Sequence, residues 1–425
     1  MKSAAKIHFF SLSLDVFTMK FAFRVILLIC LSAELLLAIS CRRDKGPKLP
    51  LPELQIDSLF VNLGKADVAK RTTMAEKTFR AMHKEQGLNG VVLYAEGGQV
   101  LYREAFGWRN LVRQKDSLRI DDQFQLASVS KMFTAEAVML LYSQGKLDYE
   151  DDLTKYLPEF PYQGITIRNL LNHRSGLSRY ETLADEHWPD RGVPATNDDI
   201  IQLYVQYKPD PYNKPDVTFH YTNVNYVLLA SIVERVSGQH FEDFMREQVF
   251  LPLGMEHSYI YSLRGTERLS TYVDTEVQGH DLLRKGTRRA QEDYLNGVVG
   301  DKVMYSTVDD LYRFSQAIDY QLFLPDSIQQ EAFKPGSSHW KKGENYGFGW
   351  RMSDKHPGIL YHFGWWKGYR SYYIRDIEKG RVLIVLTNTS GGAVGESLWS
   401  FINDTSVQLP NACTNRNMIL DKTDF

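Results

Sequence analysis

The chain has 425 residues, of which 43% are hydrophobic and 24% are charged, and its formal net charge is −2. This length suggests two domains or one large domain, and the hydrophobic fraction is sufficient for a sizeable core. No basic stripe stands out, so no nucleic-acid partner is expected, and the polar mean hydropathy excludes a protein with several membrane spans.

The N-terminal segment, residues 1–41, has the layout of a secretory signal. From Met19, a candidate true start, Lys20 and Arg24 precede an apolar run that ends in small residues before Cys41. The end of this run resembles a bacterial lipoprotein signal. That resemblance implies that Cys41 is lipidated and anchors an exported protein on the periplasmic or extracellular face of a membrane.

Two alternatives for this segment stay open. Residues 38–40, Ala-Ile-Ser, also form an ordinary cleavage site of the small-x-small type. The second alternative is an uncleaved membrane anchor, although the apolar run is short for a transmembrane helix. In each case the bulk of the chain lies outside the cytoplasm.

The first predicted elements after the signal are a tether, a helix and a hairpin. Residues 42–55 are charged and proline-rich, which is typical of a tether, and the tether is expected to span residues 42–65. One face of a predicted helix then carries four apolar residues, Val68, Ala75, Phe79 and Met82. Two strand-like segments, 88–96 and 99–108, flank a Gly-Gly turn and predict a β-hairpin.

The middle of the chain, about 132–300, has a mostly helical pattern with long loops. The clearest helical segments are 165–177 and 223–238, and the second ends at a glycine, as helices often do. The segment that begins at Ser306 also predicts a helix, with that serine as its N-terminal cap.

Strand patterns return near the C-terminus, at residues 346–352, 358–366, 369–376 and 381–389. Sequential strands joined by short turns are expected to be antiparallel. The predicted fold class is therefore α+β: a three-layer arrangement in which an antiparallel sheet from both ends of the chain is flanked by helices, with an all-helical subdomain inserted. The domain is expected at residues 66–405, followed by a C-terminal tail at 406–425.

A candidate catalytic pair lies at the start of an apolar helical run, residues 126–141. Positions i and i+3 of a helix face the same way, so Ser128 and Lys131 would present a hydroxyl and an amine side by side. A serine hydroxyl needs an adjacent base to become a nucleophile, and a lysine can serve only in its neutral form, which burial favours. A helix N-terminus also favours a developing oxyanion.

The pair alone has a second interpretation. The S-x-x-K pattern also occurs at Ser3, Ser143 and Ser338, in contexts less suited to catalysis. Ser128 could instead be a helix cap, with Lys131 extending its amine to solvent.

Two further patterns favour the catalytic interpretation. Tyr221 and Asn223 lie in a predicted loop ahead of a helix, where a phenol can relay a proton and an amide can both donate and accept. His362 and Gly364 lie near the end of a predicted strand, where a histidine can bind an anion and a glycine leaves room for a substrate backbone. Singly, each has a structural alternative, since the chain has 24 tyrosines and an isolated histidine is usually structural.

The order and contexts of these patterns resemble the serine β-lactamase and penicillin-binding protein superfamily, in its branch of class C β-lactamases, D-alanyl-D-alanine carboxypeptidases and related esterases. The resemblance spans about residues 90–399. It includes the segments GKLDYEDDLTKYLPEFP, ITIRNLLNHRSGL, YTNVNYVLLASIVERVSG and FLPLGMEHS. It implies a β-lactamase/transpeptidase-like fold.

The resemblance also implies roles for individual residues. Ser128 would be the acylated nucleophile and Lys131 its proton acceptor. Tyr221 would pass a proton to the leaving group, and Asn223 would hold the lysine and the substrate amide. The N–H groups of Ser128 and Trp365 would form the oxyanion hole beside Gly364, in a substrate-binding strand that also carries His362.

One position departs from the family pattern. His362 stands where many members have a lysine that grips a substrate carboxylate, and a histidine carries that charge only part of the time near neutral pH. Lys367 or Arg370 could supply the missing charge while a tryptophan walls the pocket. The alternative is that Trp366 packs and both cations are solvated.

The sequence thus predicts a serine hydrolase that cleaves an ester or amide, of peptide or β-lactam type, through an acyl-enzyme on Ser128. Its partner would be a small-molecule or peptide substrate. The alternative is a penicillin-binding or sensor-like module that acylates with little turnover. A hydrolase of the α/β type is excluded because the chain has no G-x-S-x-G motif. No sequence motif for a metal or a nucleotide cofactor is present, so neither is expected.

Overall fold

The computed structural model describes residues 65–336, 346–391 and 395–403. The expected signal segment, the tether up to residue 64 and the C-terminal tail lie outside the described residues, as does Ser338. Among the described residues, no helix has both the length and the hydrophobicity that a membrane span requires.

In this part of the chain the strands are β1 (Gly90–Glu96), β2 (Gln99–Phe106), β3 (Trp108–Asn110), β4 (Lys115–Ser117), β5 (Phe124–Gln125), β6 (Tyr259–Ile260), β7 (His280–Leu282), β8 (Thr287–Arg289), β9 (Met304–Ser306), β10 (Arg351–Met352), β11 (Ile359–Trp366), β12 (Tyr369–Asp376) and β13 (Arg381–Thr387). The central sheet has six strands in the order β10-β11-β12-β13-β1-β2, with every pair antiparallel. The first and last parts of the chain build it, as predicted.

The predicted β1–β2 hairpin is confirmed. Glu96 pairs with Gln99, and the two turn residues, Gly97 and Gly98, have φ angles of 60° and 78°. Both angles lie in the left-handed region, which glycine enters without steric cost and which two-residue hairpin turns require.

The helices are α1 (Lys65–Gln86), α2 (Ser130–Ser143), α3 (Ile167–Leu171), α4 (Tyr180–His187), α5 (Asn197–Tyr207), α6 (Val224–Ser237), α7 (Phe241–Phe244), α8 (Val308–Asp319), α9 (Asp326–Gln329) and α10 (Gly395–Ile402), and a π-helical turn (Met245–Phe250) continues α7. The expected glycine end is confirmed in α6, which stops at Gly238 with a φ of 71°.

The sheet is covered on both faces, which gives the three layers. Along β1, Val92 and Tyr94 belong to an apolar cluster with α1 and α10, whereas Val91 and Leu93 belong to a second cluster with α2 and α8. Side chains alternate between the faces of a strand, so full burial of β1 requires cover on both sides. The mixed α+β fold class is confirmed.

The helical insertion is shorter than predicted. Its helices end at Phe250, and residues 251–300 contain only short strands and a turn of 3-10 helix. The predicted helix at 165–177 is also shorter, because α3 stops at Leu171. The cap of α8 is Thr307, which accepts a hydrogen bond from the backbone N–H of Asp310, and not Ser306.

Candidate active site

Ser128 lies in a strained connection between a strand and a helix. A turn of 3-10 helix, Ala127–Val129, joins β5 to α2, so the serine precedes the helix start by two residues. Ala127 has a φ of 48°, in the left-handed region that residues with a side chain seldom adopt. The Leu126 N–H donates to the carbonyl of Met304 at 2.8 Å and fixes this connection to β9.

Lys131 lies directly against Ser128. Its Nζ is 3.1 Å from Ser128 Oγ and 2.8 Å from the carbonyl oxygen of Asp301. The lysine is completely buried, and in the described residues no carboxylate lies within ion-pairing distance of it. The amine therefore lies in the interior with a hydroxyl and a carbonyl oxygen as its hydrogen-bond partners. The alternative of a lysine that extends to solvent is therefore wrong.

Tyr221 lies next to the Ser128–Lys131 pair. Its ring centroid lies 5.2 Å from Lys131 Nζ, and on another side it lies 4.8 Å from the guanidinium carbon of Arg351. The ring also packs against His173, with 4.2 Å between centroids. The Tyr221 ring thus contacts two basic side chains, one of which is the amine next to the nucleophile.

Asn223 has a different partner from the one expected. Its Nδ2 donates to Oε1 of Glu181 at 2.5 Å, and no hydrogen bond among the described residues joins it to Lys131. A carboxylate accepts only, so this contact fixes which end of the amide is the donor. The amide oxygen of Asn223 is buried and has no hydrogen-bond partner within the described residues.

His362 is buried on β11 and makes hydrogen bonds with both ring nitrogens. Nε2 lies 3.0 Å from the Tyr346 hydroxyl, and Nδ1 lies 2.8 Å from the carbonyl oxygen of Phe363. Burial, then the charge of Arg351, holds the pKa of His362 well below its ordinary value. The ring is therefore neutral near pH 7, with Nδ1–H as donor and Nε2 as acceptor, and it cannot grip a carboxylate by charge.

Gly364 lets β11 approach the nucleophile closely. A Cβ at this position would overlap the carbonyl oxygen of Leu126 and lie 3.0 Å from the backbone nitrogen of Ser128. The next residue, Trp365, is 42% exposed at the end of the strand. Three separate stretches of the chain thus bring predicted residues together around Ser128, and the His362 ring lies 6.3 Å from the Tyr221 ring between centroids.

The two cations proposed from the sequence are already engaged. Lys367 forms an ion pair with Asp293, with 2.7 Å between Nζ and Oδ2. Arg370 Nε donates to the carbonyl of Ser390 at 2.8 Å. Trp366 is partly buried and packs against the core. The packing expected of Trp366 is therefore confirmed, but the two cations are not simply solvated, because Lys367 has an ion-pair partner and Arg370 a backbone acceptor.

Four site residues escaped the sequence interpretation, namely His173, Glu181, Tyr346 and Arg351. Two of them belong to the run YGFGWRM, which the sequence presented only as a strand. His173 has a φ of 58°, and its Nδ1 lies 3.1 Å from Asn225 Nδ2. Burial holds the pKa of His173 well below its ordinary value.

No group of three or more histidine, cysteine, aspartate or glutamate side chains in residues 65–336, 346–391 and 395–403 could hold a metal ion. The chemistry offered by the described site is that of a serine, a buried amine, a phenol and a neutral imidazole. Such a set is suited to acyl transfer.

Comparison with known proteins identifies the family. The Beta-lactamase family model matches residues 75–406. A penicillin-binding protein of Bacillus subtilis (strain 168) is 36% identical over 318 residues, which cover 73% of this chain and 70% of the relative. The chain therefore belongs to the Beta-lactamase family.

Solved structures support the fold. An octameric penicillin-binding protein homologue from Pyrococcus abyssi has a TM-score of 0.66 at 22% identity and covers 84% of this chain and 82% of its own. A D-amino acid amidase from Ochrobactrum anthropi SV3 has a TM-score of 0.63 at 22% identity, with 83% and 99% covered. At these identities the likeness shows the β-lactamase/transpeptidase-like fold.

Proposed function

We propose that this chain is a serine hydrolase that cleaves an ester or amide through an acyl-enzyme on Ser128. The observation that carries the proposal is the 3.1 Å contact between Lys131 Nζ and Ser128 Oγ in a buried environment. Membership of the Beta-lactamase family supports it, as do neighbours named as a penicillin-binding protein and an amidase.

In the first step, Ser128 Oγ attacks the carbonyl carbon of the substrate while its proton passes to the neutral Nζ of Lys131. The resulting oxyanion is held by the N–H groups of Ser128 and Trp365. Collapse of this intermediate breaks the bond to the leaving oxygen or nitrogen, which takes a proton by way of Tyr221.

In the second step, a water molecule attacks the carbonyl carbon of the acyl-enzyme. Its proton passes to the Tyr221–Lys131 pair, and the bond to Ser128 Oγ breaks as the serine recovers a proton. Glu181 fixes the donor end of the Asn223 side chain. The amide oxygen of Asn223 is therefore left to accept a hydrogen bond from the substrate amide, which it orients in both steps.

The substrate carries a carboxylate near its scissile bond, and Arg351 binds it. This guanidinium is half-buried on the Tyr221 ring and lies 5.9 Å from the centroid of Tyr346. In the described residues no ion pair involves Arg351, whereas Lys367 has Asp293. A planar guanidinium suits a carboxylate, since it can donate two parallel hydrogen bonds. Arg351 thus replaces the charge that a neutral His362 lacks.

The test is a substrate panel with purified protein: D-Ala-D-Ala peptides, nitrophenyl esters and a chromogenic cephalosporin. Hydrolysis of at least one class that is lost in Ser128→Ala supports the proposal. Activity that survives Ser128→Ala refutes it. Ser143→Ala is a matched control, because that serine also begins an S-x-x-K pattern but donates to the carbonyl of Leu140.

A second candidate is a penicillin-binding or sensor-like module that acylates and turns over slowly. The 36% identical relative named as a penicillin-binding protein favours it. A fluorescent penicillin separates the two, because label that forms on Ser128 and then decays within minutes indicates a hydrolase. Label that persists for hours indicates the second candidate.

We also propose that the protein is exported and anchored at the membrane through a lipid on Cys41. The support is the sequence pattern around this residue, which lies outside the described residues. Cells fed a clickable fatty-acid analogue should label the wild-type protein and not Cys41→Ser. Equal labelling of both would refute the anchor.

A further inference from the structure

A second lysine is buried behind Lys131. Lys302 Nζ lies 2.6 Å from the Tyr180 hydroxyl and 3.1 Å from Oδ1 of Asp301. The same hydroxyl lies 3.0 Å from Oδ2 of Asp301. The side chains of Lys302 and Asp301 are only 4% and 0% exposed, so this is a closed buried cluster, which we call the lysine–aspartate–tyrosine triad.

The triad is joined to the candidate base through the backbone. Asp301 makes both contacts. Its carboxylate pairs with Lys302, and its backbone carbonyl oxygen lies 2.8 Å from Lys131 Nζ. The preceding carbonyl, of Gly300, accepts from Thr134 Oγ1 at 2.6 Å. The segment 300–302 is thus attached to α2 through its backbone carbonyls, and it carries two members of the triad.

The triad also contacts two other walls of the site. Lys302 Nζ lies 5.1 Å from the ring centroid of Trp366, at the end of β11. Tyr180 precedes Glu181, the residue that fixes Asn223. The buried ion pair of Lys302 and Asp301, in the segment before β9, therefore contacts both helix α4 and strand β11.

We propose that Tyr180, Asp301 and Lys302 are positioning residues for Lys131, and that the balance between the charges of Asp301 and Lys302 sets the pH dependence of Ser128 acylation. The proposal rests on the proposed function, in which Lys131 accepts the serine proton. The buried ammonium of Lys302 opposes a proton on Lys131, and the carboxylate of Asp301 favours one.

Other groups also face Lys131. They are the rings of Tyr221 and Tyr226 and the imidazoles of His173 and His362, and the guanidinium of Arg351 lies on the Tyr221 ring. These groups are the same in every variant below. A difference between the variants therefore reports the charges at positions 301 and 302.

The experiment measures the rate of Ser128 acylation by a fluorophosphonate probe as a function of pH. Asp301→Asn leaves the Lys302 charge unbalanced, so the acid limb of the profile should move to lower pH, by on the order of one pH unit. Lys302→Met leaves the Asp301 charge unbalanced, so the limb should move to higher pH by a similar amount. A general loss of structure would slow both variants without moving their limbs in opposite directions.

Single substitutions in a buried ion pair can prevent folding, so two further variants are included. The double variant D301N/K302M removes both charges, and Tyr180→Phe removes only the hydroxyl. Both should fold and keep the wild-type pH midpoint, and both should acylate about 10-fold more slowly, since each loses buried hydrogen bonds that position the Asp301 carbonyl. Wild-type rates in both, or single variants whose limbs shift the same way or not at all, would overturn the proposal.

Failure of this inference differs from failure of the proposed function. If wild-type protein is not labelled on Ser128, the proposed function fails. If Ser128 is labelled but the profile is unaffected by residues 301 and 302, only the role of the triad fails.

Discussion

The hydroxyl of Tyr346 lies 3.0 Å from Nε2 of His362, and both side chains are buried. The other ring nitrogen donates to the carbonyl of Phe363. Together these contacts hold the imidazole in one tautomer on β11, with its centroid 6.3 Å from that of the Tyr221 ring. His362 is therefore a neutral hydrogen-bond acceptor for Tyr346, and it does not carry a charge near neutral pH.

Removing the Tyr346 hydroxyl should destabilise the protein. In Tyr346→Phe, buried Nε2 of His362 loses its donor, which costs about 1–3 kcal/mol. Chemical denaturation should show this loss at pH 7. Tyr312→Phe is the control, because the hydroxyl of Tyr312 is also buried but has no hydrogen-bond partner in the described residues. Equal stability of the two variants would contradict this role of the hydroxyl.

Arg351→Gln should separate substrates by charge. Loss of a hydrogen-bonded charge is worth about 1.5–3 kcal/mol, or roughly 10- to 100-fold. We expect KM to rise by that factor for a substrate with a free carboxylate and to change little for its amide-capped analogue. Steady-state kinetics with the matched pair measures this, and Arg113→Gln, at an exposed position, is the control. A similar loss for both substrates would rule out carboxylate binding.

Gly364→Ala should disable the site without removing a reactive group. The new Cβ would overlap the carbonyl oxygen of Leu126, so β11 must move away from Ser128. Displacement of about 1 Å can cost roughly 100-fold in rate. Gly395→Ala is the matched control, because its Cβ would lie 3.9 Å from Tyr372, an ordinary contact. Near-normal acylation of Ser128 in Gly364→Ala would show that the strand is not held against the serine.

Glu136, on the same helix as Lys131, should make stability depend on pH. Burial raises its pKa to about 8, and Gln329 donates to its Oε1 at 2.8 Å. A raised pKa means that the folded protein holds the proton more tightly than the unfolded chain. Its contribution is thus complete below about pH 4.5 and is lost as the pH rises to about 8.

The matching measurement is urea denaturation across this pH range. The free energy of unfolding should fall more steeply in wild type than in Glu136→Gln, by on the order of several kcal/mol in total, because each pKa unit is worth about 1.4 kcal/mol. Glu256→Gln, at an exposed position, should follow wild type. Parallel curves for wild type and Glu136→Gln would exclude this effect.

Local sequence patterns were sufficient to predict the features that depend only on residues close together in the chain. The Gly97-Gly98 turn and the i, i+3 contact of Ser128 with Lys131 are of this kind. Helix ends were less accurate, since Ser306 and Thr307 can both cap a helix and tertiary packing decides between them.

Contacts between distant segments could not be read from local pattern. Glu181 meets Asn223 across 42 positions, and Lys131 meets the carbonyl of Asp301 across 170. An arginine at the end of a short strand has no local feature that predicts its place on the Tyr221 ring. Arg351 was therefore missed, and the sequence offered Lys367 and Arg370 as candidates because they follow the motif directly.

The central claim is that Lys131 activates Ser128, and the most direct measurement is the acylation rate of a defined serine. Wild type, Ser128→Ala and Lys131→Met would be treated with a fluorophosphonate, and the labelled peptide identified by mass spectrometry. The account predicts label on Ser128 in wild type, none in Ser128→Ala, and a rate at least about 100-fold lower in Lys131→Met, since general base catalysis contributes on the order of 100- to 10,000-fold. Label on another residue, or an undiminished rate in folded Lys131→Met, would contradict it.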